Sequence, residues 1–245
     1  MRINKFLRDS GVTSRRGADE MILSGRVSLN GQKITTPGLE VDPDRDTVTV
    51  DGKIVRPHDE RFVILFSKPC NVTTTLSDPH AEKTVADYFR VFPVRLFPVG
   101  RLDVDTSGLL IMTNDGDLAH QLTHPKFEKT KTYLVNCEGI LEKRDIERLQ
   151  KGIRLEDGWT LPAVVANIHL KKTQTSLEIT IREGRNRQIR RMFDAIGHPI
   201  VRLRRIAIGS LRLPDMEDGT WRILTHGEIQ LLRTAPSHRN KKNQG

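Results

Sequence analysis

The sequence predicts an α+β protein: a small N-terminal domain over residues 1–60, a larger mixed domain over 61–235 and a short basic tail over 236–245. Three observations carry this reading. Residues 1–55 run helix, helix, then short strands. A polar linker, Arg56-Pro57-His58-Asp59-Glu60-Arg61, separates them from an apolar run, Phe62-Val63-Ile64-Leu65-Phe66. Beyond it, candidate strands outnumber candidate helices and do not alternate regularly with them, which argues against a doubly wound sheet.

In the first segment Ile3, Phe6 and Leu7 fall at i, i+3, i+4 and give one apolar helix face that Gly11 ends. Ser14 is placed to cap a second helix, with Ala18, Met21 and Ile22 inward and Gly25 as its stop. Val27 and Leu29 alternate with polar residues up to Asn30-Gly31, a hairpin signal that Thr47-Val48-Thr49-Val50 before Asp51-Gly52 repeats. Arg2, Lys5, Arg8, Arg15, Arg16 and Arg26 interrupt the helices. They read equally as a solvated face or as cations presented to a phosphate backbone.

In the second segment strands are expected at 62–66, 96–99, 109–113, 133–137, 164–170, 177–181 and 201–208. Helices are expected at 84–89, 118–123, 142–151 and 187–196. A last one starts at Thr225, which with Glu228 has capping-box spacing. The tail carries Arg239, Lys241 and Lys242, reads as disordered, and suits a basic extension that faces a polyanion.

Composition narrows the function. No apolar run approaches the roughly 20 residues needed to cross a bilayer. The opening Met1-Arg2-Ile3-Asn4-Lys5 puts charge where a secretion signal needs apolar residues, so a cytoplasmic location is expected. Only Cys70 and Cys137 occur, far apart and in no C-x-x-C arrangement, which reads as two idle thiols. The eight histidines offer no metal-binding spacing, so no metal is expected. A net charge of +9 favours a polyanionic partner; charge alone does not separate RNA, DNA and an anionic membrane, and the absence of a basic amphipathic anchor weighs against the membrane.

The stretch that carries chemistry is Gly100-Arg101-Leu102-Asp103-Val104-Asp105-Thr106-Ser107-Gly108-Leu109-Leu110, small and charged residues between two apolar runs. Taken alone it has three readings. D-x-D-x-S-G opens like a calcium loop, but Asn114 stands where the twelfth-position glutamate belongs. Asp103 caps a turn and pairs with Arg101, or it is a nucleophilic carboxylate beside an arginine. Downstream, Ile189, Met192, Phe193 and Ile196 share one face of the helix expected at 187–196, with Arg187, Arg190 and Arg191 opposite.

Three groups of residues resemble known families. Residues 1 to about 55, through Arg2-Ile3-Asn4-Lys5-Phe6-Leu7, Ser14-Arg15-Arg16 and Gly25-Arg26-Val27-Ser28-Leu29-Asn30-Gly31, look like an S4 RNA-binding domain. G-R-L-D-x-x-T-S-G-L-L closely resembles the signature of the pseudouridine synthases of the RsuA/RluA superfamily. Lys129-Thr130-Lys131-Thr132-Tyr133 and Glu183-Gly184-Arg185-Asn186-Arg187-Gln188-Ile189-Arg190-Arg191-Met192 resemble its later motifs. The resemblance implies a mainly antiparallel catalytic domain and the isomerisation of uridine to pseudouridine. It implies catalytic Asp103, a pocket tyrosine at Tyr133, and Arg190 as the ion-pair partner of Asp103. It also implies RNA contacts from Arg101 and, with Lys131, Arg187, Arg191 and the S4 cations Arg2, Lys5, Arg15 and Arg16, phosphate binding.

In that reaction the N1 glycosidic bond breaks, the uracil turns and C5 bonds to the same ribose carbon, so no cofactor or metal is called for. The order of motifs is similar to the RsuA/RluB/RluE/RluF branch. Arg204 to Leu211 and Gly219 to Thr225 are most similar to RluB-type enzymes, which implies a 23S ribosomal RNA target near the peptidyl-transferase region. A 16S ribosomal RNA target stays open. So does a non-enzymatic ribosome-assembly factor, although that reading expects loss of Asp103, Tyr133 or Arg190, and all three are present.

Overall fold

The computed structural model describes residues 1–234; the tail expected over 236–245 lies outside the described residues. The chain forms two compact units, one of Met1–Phe62 with Val91–Leu96, the other of Val63–Arg90 with the chain from Phe97 onward. A single cut near residue 60 leaves Val91–Leu96 on the other side.

In the first unit α1 (Ile3–Asp9) and α2 (Arg15–Leu23) form where the apolar spacing predicts them, and the Ser14 hydroxyl caps α2 by accepting from Gly17 N at 3.1 Å. Strands β1 (Val27–Leu29), β2 (Gln32–Lys33), β3 (Val48–Val50) and β4 (Lys53–Val55) make an antiparallel sheet of order β2-β1-β3-β4. Its hairpins turn on Asn30-Gly31 and Asp51-Gly52. Both central residues have positive φ (51° and 83°, 49° and 77°), the requirement of a tight right-twisted hairpin. Ile3, Phe6, Leu7, Ala18, Ile22 and Val27 are buried in one core with Val41, Val48 and Val50.

The second unit is built on one nine-stranded sheet. Its elements are β5 (Val63–Lys68), β6 (Phe97–Val99), β7 (Thr106–Thr113), α3 (Gly116–Thr123), β8 (Lys131–Glu138) and α4 (Lys143–Lys151). They continue with a two-stranded ribbon, β9 (Arg154–Leu155) and β10 (Gly158–Trp159), then β11 (Val164–Leu170), β12 (Gln174–Ile181) and α5 (Gln188–Asp194). The chain closes with β13 (Ile200–Ile208), β14 (Leu211–Arg212), β15 (Trp221–Ile223) and α6 (His226–Arg233). The main sheet runs β11-β12-β8-β13-β7-β5-β15, with β14 on β13 and β6 on β7. Among the described residues only β7 and β13 pair in parallel. The fold is therefore mixed α+β and mainly antiparallel, as expected.

Every residue of β5 and β7 is buried, so these strands are covered on both faces. Val63, Leu65, Leu109 and Ile111 pack with Leu118 and Leu122 of α3 and Leu232 of α6. On the other face Phe66 meets Tyr88 at 4.9 Å and Phe89 at 5.3 Å, and Phe89 reaches Trp221 at 5.9 Å. The helix expected at 84–89 is a four-residue 3₁₀ turn, Val85–Tyr88; Phe89 leaves it to pack edge-on against Phe66, which ends the helical run. Strands β9, β10, β14 and β15 were not legible, because two or three residues show no periodicity. No helix of the described residues is long and apolar enough to cross a membrane.

Gly108 sets the approach of β7 to β13. Its φ is +102°, and a Cβ there would stand 2.2 Å from the carbonyl oxygen and 2.8 Å from the nitrogen of Arg205, both backbone atoms that cannot swing aside. Gly108→Ala is expected to destabilise the protein by about 3 kcal/mol or more, measured by urea unfolding. A loss under about 1 kcal/mol would show that the strands separate freely.

Candidate active site

Residues 100–105 link β6 to β7, and Gly100 makes the turn with φ +74°. One segment, residues 68–74, holds this loop along its length. The Thr74 hydroxyl donates to Leu102 O at 2.6 Å and accepts from Leu102 N at 3.3 Å. Asn71 N donates to Val104 O at 2.7 Å, from a left-handed residue with φ 62°. Lys68, fully buried, donates from Nζ to Thr106 O at 3.0 Å and Pro69 O at 2.9 Å. Burial draws the Lys68 ammonium down to about 8, against the charges of Cys70, Asp105 and Asp103, which raise it.

The loop borders a cavity of about 780 Å³. Asp103, Tyr133, Arg190, Arg101, Lys131 and Arg187 all line it, so the fold brings together six of the side chains singled out in the sequence; Arg191 is not among its lining. Tyr133 on β8 is buried and stands in register with Arg205 of β13, so both project from the same face of the sheet. Arg205 is also buried and lines the cavity, with Nε donating to Leu109 O at 2.7 Å.

The two aspartates of the loop differ in their partners. Asp105 is chelated by Arg187, Nη1 to Oδ1 at 3.2 Å and Nη2 to Oδ2 at 3.1 Å. Arg190 adds an ion pair from Nε to Asp105 Oδ2 at 3.2 Å, and its Nη2 donates to the Asp105 carbonyl at 2.8 Å. Burial acts to raise the Asp105 carboxyl, but the hydrogen bonds of Arg187 and the charge of Arg190 outweigh it and hold it below the ordinary carboxylate value. Asp103 is half-buried, and among the described residues its carboxylate has no ion pair.

Two expectations are corrected by this geometry. Arg190 pairs with Asp105 and not with Asp103. It also does not lie on the exposed face of α5: its side chain is only 12% exposed, drawn inward by Asp105 and by the Ile200 carbonyl at 3.3 Å. Helical periodicity places Ile189, Met192, Phe193 and Ile196 in the core as expected, but it takes no account of a partner on another strand.

The other cations divide similarly. Arg191 is chelated by Asp157, both contacts at 3.0 Å, and Lys131 turns into the cavity with Nζ 3.3 Å from Lys129 O. Burial, with a smaller contribution from the charge of Arg205, lowers the Lys131 ammonium. Arg101 and Arg182 are exposed, line the cavity and have no ion pair among the described residues; Arg182 was missed in the sequence because no motif contains it. Arg2, Arg15 and Arg16 are exposed on the first unit, and Lys5 is half-buried there. Among the described residues no group of three or more His, Cys, Asp or Glu side chains is placed to hold a metal ion.

A cavity bordered by an unpaired carboxylate, a buried tyrosine and exposed arginines suits an anionic substrate with an aromatic ring. The S4 domain model matches residues 1–46, and the RNA pseudouridylate synthase model matches residues 62–195. This chain belongs to the RNA pseudouridine synthase family and is an isomerase. It is 43% identical to ribosomal large subunit pseudouridine synthase B of Bacillus subtilis (strain 168), over 97% of both chains. It is 44% identical to an RNA pseudouridine synthase of Aquifex aeolicus (strain VF5), over 95% of this chain and 93% of that one. A crystal structure of a pseudouridylate synthase superposes with a TM-score of 0.68 at 30% identity, covering 95% of this chain and 99% of the other.

Two outcomes are expected here. Thr74→Val removes both hydrogen bonds to Leu102 at nearly constant volume and is expected to lower kcat about tenfold or more with KM little changed, whereas Thr74→Ser keeps most activity. Steady-state kinetics on an RNA substrate checks the split. Lys68 governs the alkaline range. Between pH 8 and 10.5 an unfolded lysine still holds a proton that the folded Lys68 has released, so the unfolded state binds more protons and stability rises with pH. Relative to Lys68→Met, the native protein is expected to gain up to about 3 kcal/mol across that window in urea unfolding. Parallel curves would disprove the shift.

Proposed function

We propose that this enzyme converts a uridine of 23S ribosomal RNA to pseudouridine in the cytoplasm, with Asp103 as the reacting carboxylate. The observation that carries the catalytic assignment is the contrast between the two loop aspartates. Asp105 is occupied by two arginines, while Asp103 faces the cavity without an ion pair, its backbone fixed by Thr74 and Asn71. Attack on C1′ and elimination of the base both need an ionised carboxylate with free lone pairs.

The glycosidic electron pair leaves with N1 onto the uracil ring. The ring turns within the cavity, C5 bonds to C1′ and displaces any ester formed with Asp103, the C5 proton is lost and N1 takes up a proton. Tyr133 offers the flipped base an apolar face. Arg190 acts by holding the loop through Asp105, while Arg187 joins it there and Arg191 braces the adjacent ribbon through Asp157. Lys131 lies inside the cavity, and Arg101, with Arg182, is free to meet the phosphates beside the flipped nucleotide. Arg2, Lys5, Arg15 and Arg16 of the S4 unit supply the longer-range electrostatic contact. The 23S target rests on the likeness to the Bacillus subtilis large-subunit enzyme over nearly the full length of both chains.

The test is pseudouridine mapping on unmodified 23S and 16S ribosomal RNA transcripts incubated with the protein and with Asp103→Asn, no cofactor being added. The native protein is expected to form pseudouridine in 23S RNA. The variant is expected to lose at least about a thousandfold in rate while binding RNA within about threefold. Modification of 16S RNA alone would reassign the target, and product formed by Asp103→Asn at near-native rate would remove Asp103 from the chemistry.

A further inference from the structure

The β9–β10 ribbon is a short excursion on which the assigned chemistry makes no demand, yet it is fixed with unusual care. The Arg185 guanidinium reaches the carbonyls of Asp157, Gly158 and Trp159 at 3.3, 3.3 and 2.5 Å, gripping three successive peptides. Arg191 chelates the Asp157 carboxylate, and Glu183 accepts from Leu161 N at 2.8 Å while also holding Arg185 and Gln188. Thr160 closes the base of the ribbon through Ile153, N to O at 2.9 Å and Oγ1 from Ile153 N at 2.9 Å.

What this scaffold presents is Trp159, 65% exposed, one of only two tryptophans in the chain. Thr160 is 5% exposed and Leu161 is 49% exposed. Strand β10 ends at Trp159, two residues before Leu161. Leu161 lines the catalytic cavity, as does Arg185 beneath the ribbon. Arg154 stands directly opposite Trp159 in the ladder, exposed and without an ion pair among the described residues. The ribbon thus carries an indole and a free guanidinium paired across one ladder, two residues from a side chain that lines the cavity.

We infer that Trp159 is a stacking platform for a nucleobase next to the target uridine, with Arg154 meeting the adjoining phosphate. A uridine that leaves its stack exposes the faces of its neighbours, and an indole held in place replaces that lost contact without first having to be ordered. Aromatic faces interleaved with cations are the usual means of gripping single-stranded RNA. The mixed charge and small apolar area of the ribbon suit a base and phosphate better than a protein partner, whose interface core excludes charge. The inference rests on the reading of the cavity as the site that takes a flipped uridine.

The experiment uses Trp221→Phe, which leaves Trp159 as the sole tryptophan, and reads its fluorescence during titration with a single-stranded oligouridylate and with the unmodified 23S transcript. Stacking predicts quenching by at least about a third that saturates with binding. In the full chain, Trp159→Ala is expected to raise KM about tenfold with kcat changed less than about threefold, and Trp159→Phe to restore most of the loss. Fluorescence unaltered by both RNAs, or an unchanged KM for Trp159→Ala, would overturn the platform. So would self-association of the RNA-free protein, seen by sedimentation, that Trp159→Ala abolishes. Absence of pseudouridine in the native reaction counts against the 23S target alone, because the oligouridylate titration reads the indole independently of that target.

Discussion

The loop bearing Asp103 owes its shape to hydrogen bonds between main-chain atoms and one neighbouring segment, and the site depends on this. Leu102 is paired at both its N–H and its carbonyl by a single threonine hydroxyl; Val104 is held from Asn71 and Thr106 from Lys68. These anchors bracket Asp103 on both sides. The anchoring segment continues directly from β5, a strand buried along its whole length, so the rigidity of the sheet centre is passed to the loop. Ordering is thereby completed during folding, and the reaction does not have to supply it. Two donors in this arrangement cost stability. Lys68 is a buried ammonium whose hydrogen-bonding partners are two carbonyls, and Asn71 holds a left-handed backbone.

Electrostatics complete what the backbone begins. Lys68, Lys131 and Arg205 place three buried or half-buried cations around the loop, and each is opposed by desolvation. Two carboxylates face them with different duties. Asp105 gathers Arg187 and Arg190 and so ties the loop to α5 and, through the Ile200 carbonyl, to the start of β13. That leaves the carboxylate of Asp103 without an ion pair among the described residues. Were Arg190 bound to Asp103, the lone pairs of that carboxylate would be shared with a guanidinium before any substrate arrived. Placement of the arginine two residues along keeps its field close while leaving the oxygen atoms open.

Much of the fold and part of the site are legible in the residues. Periodicity and turn chemistry suffice for α1, α2 and the two hairpins at Asn30-Gly31 and Asp51-Gly52, because there local and tertiary preferences agree. The motif around Asp103 locates the loop, and the motifs at Tyr133 and Arg190 locate two walls of the cavity. Thr74 was invisible: it is the middle of Thr73-Thr74-Thr75, and nothing local distinguishes the hydroxyl that reaches Leu102 from its neighbours. Arg190 was assigned to the wrong aspartate because two carboxylates two residues apart present the same spacing to a distant arginine; only the path of the chain decides between them. Short ribbons such as β9–β10 fail for another reason, since two residues cannot display a period.

The division of the arginines bears on how affinity and chemistry are distributed. A strongly basic chain invites the view that every arginine near the cavity binds phosphate. Yet Arg187, Arg190 and Arg191 are each satisfied by an aspartate, and Arg185 is spent on Glu183 and the ribbon carbonyls. A guanidinium already paired in this way contributes geometry and releases few counterions when RNA arrives. Among the described residues, cations without an ion pair include Arg101 and Arg182 at the cavity, Arg154 on the ribbon, and Arg2 and Arg16 of the S4 unit. At the cavity, salt-sensitive binding is thereby left to a few rim residues. The loop is also held by Arg190, whose guanidinium is largely buried, and salt screens that pair less than the exposed pairs of Arg187 and Arg191. A protein so arranged can vary its grip on RNA through the surface without disturbing the position of Asp103.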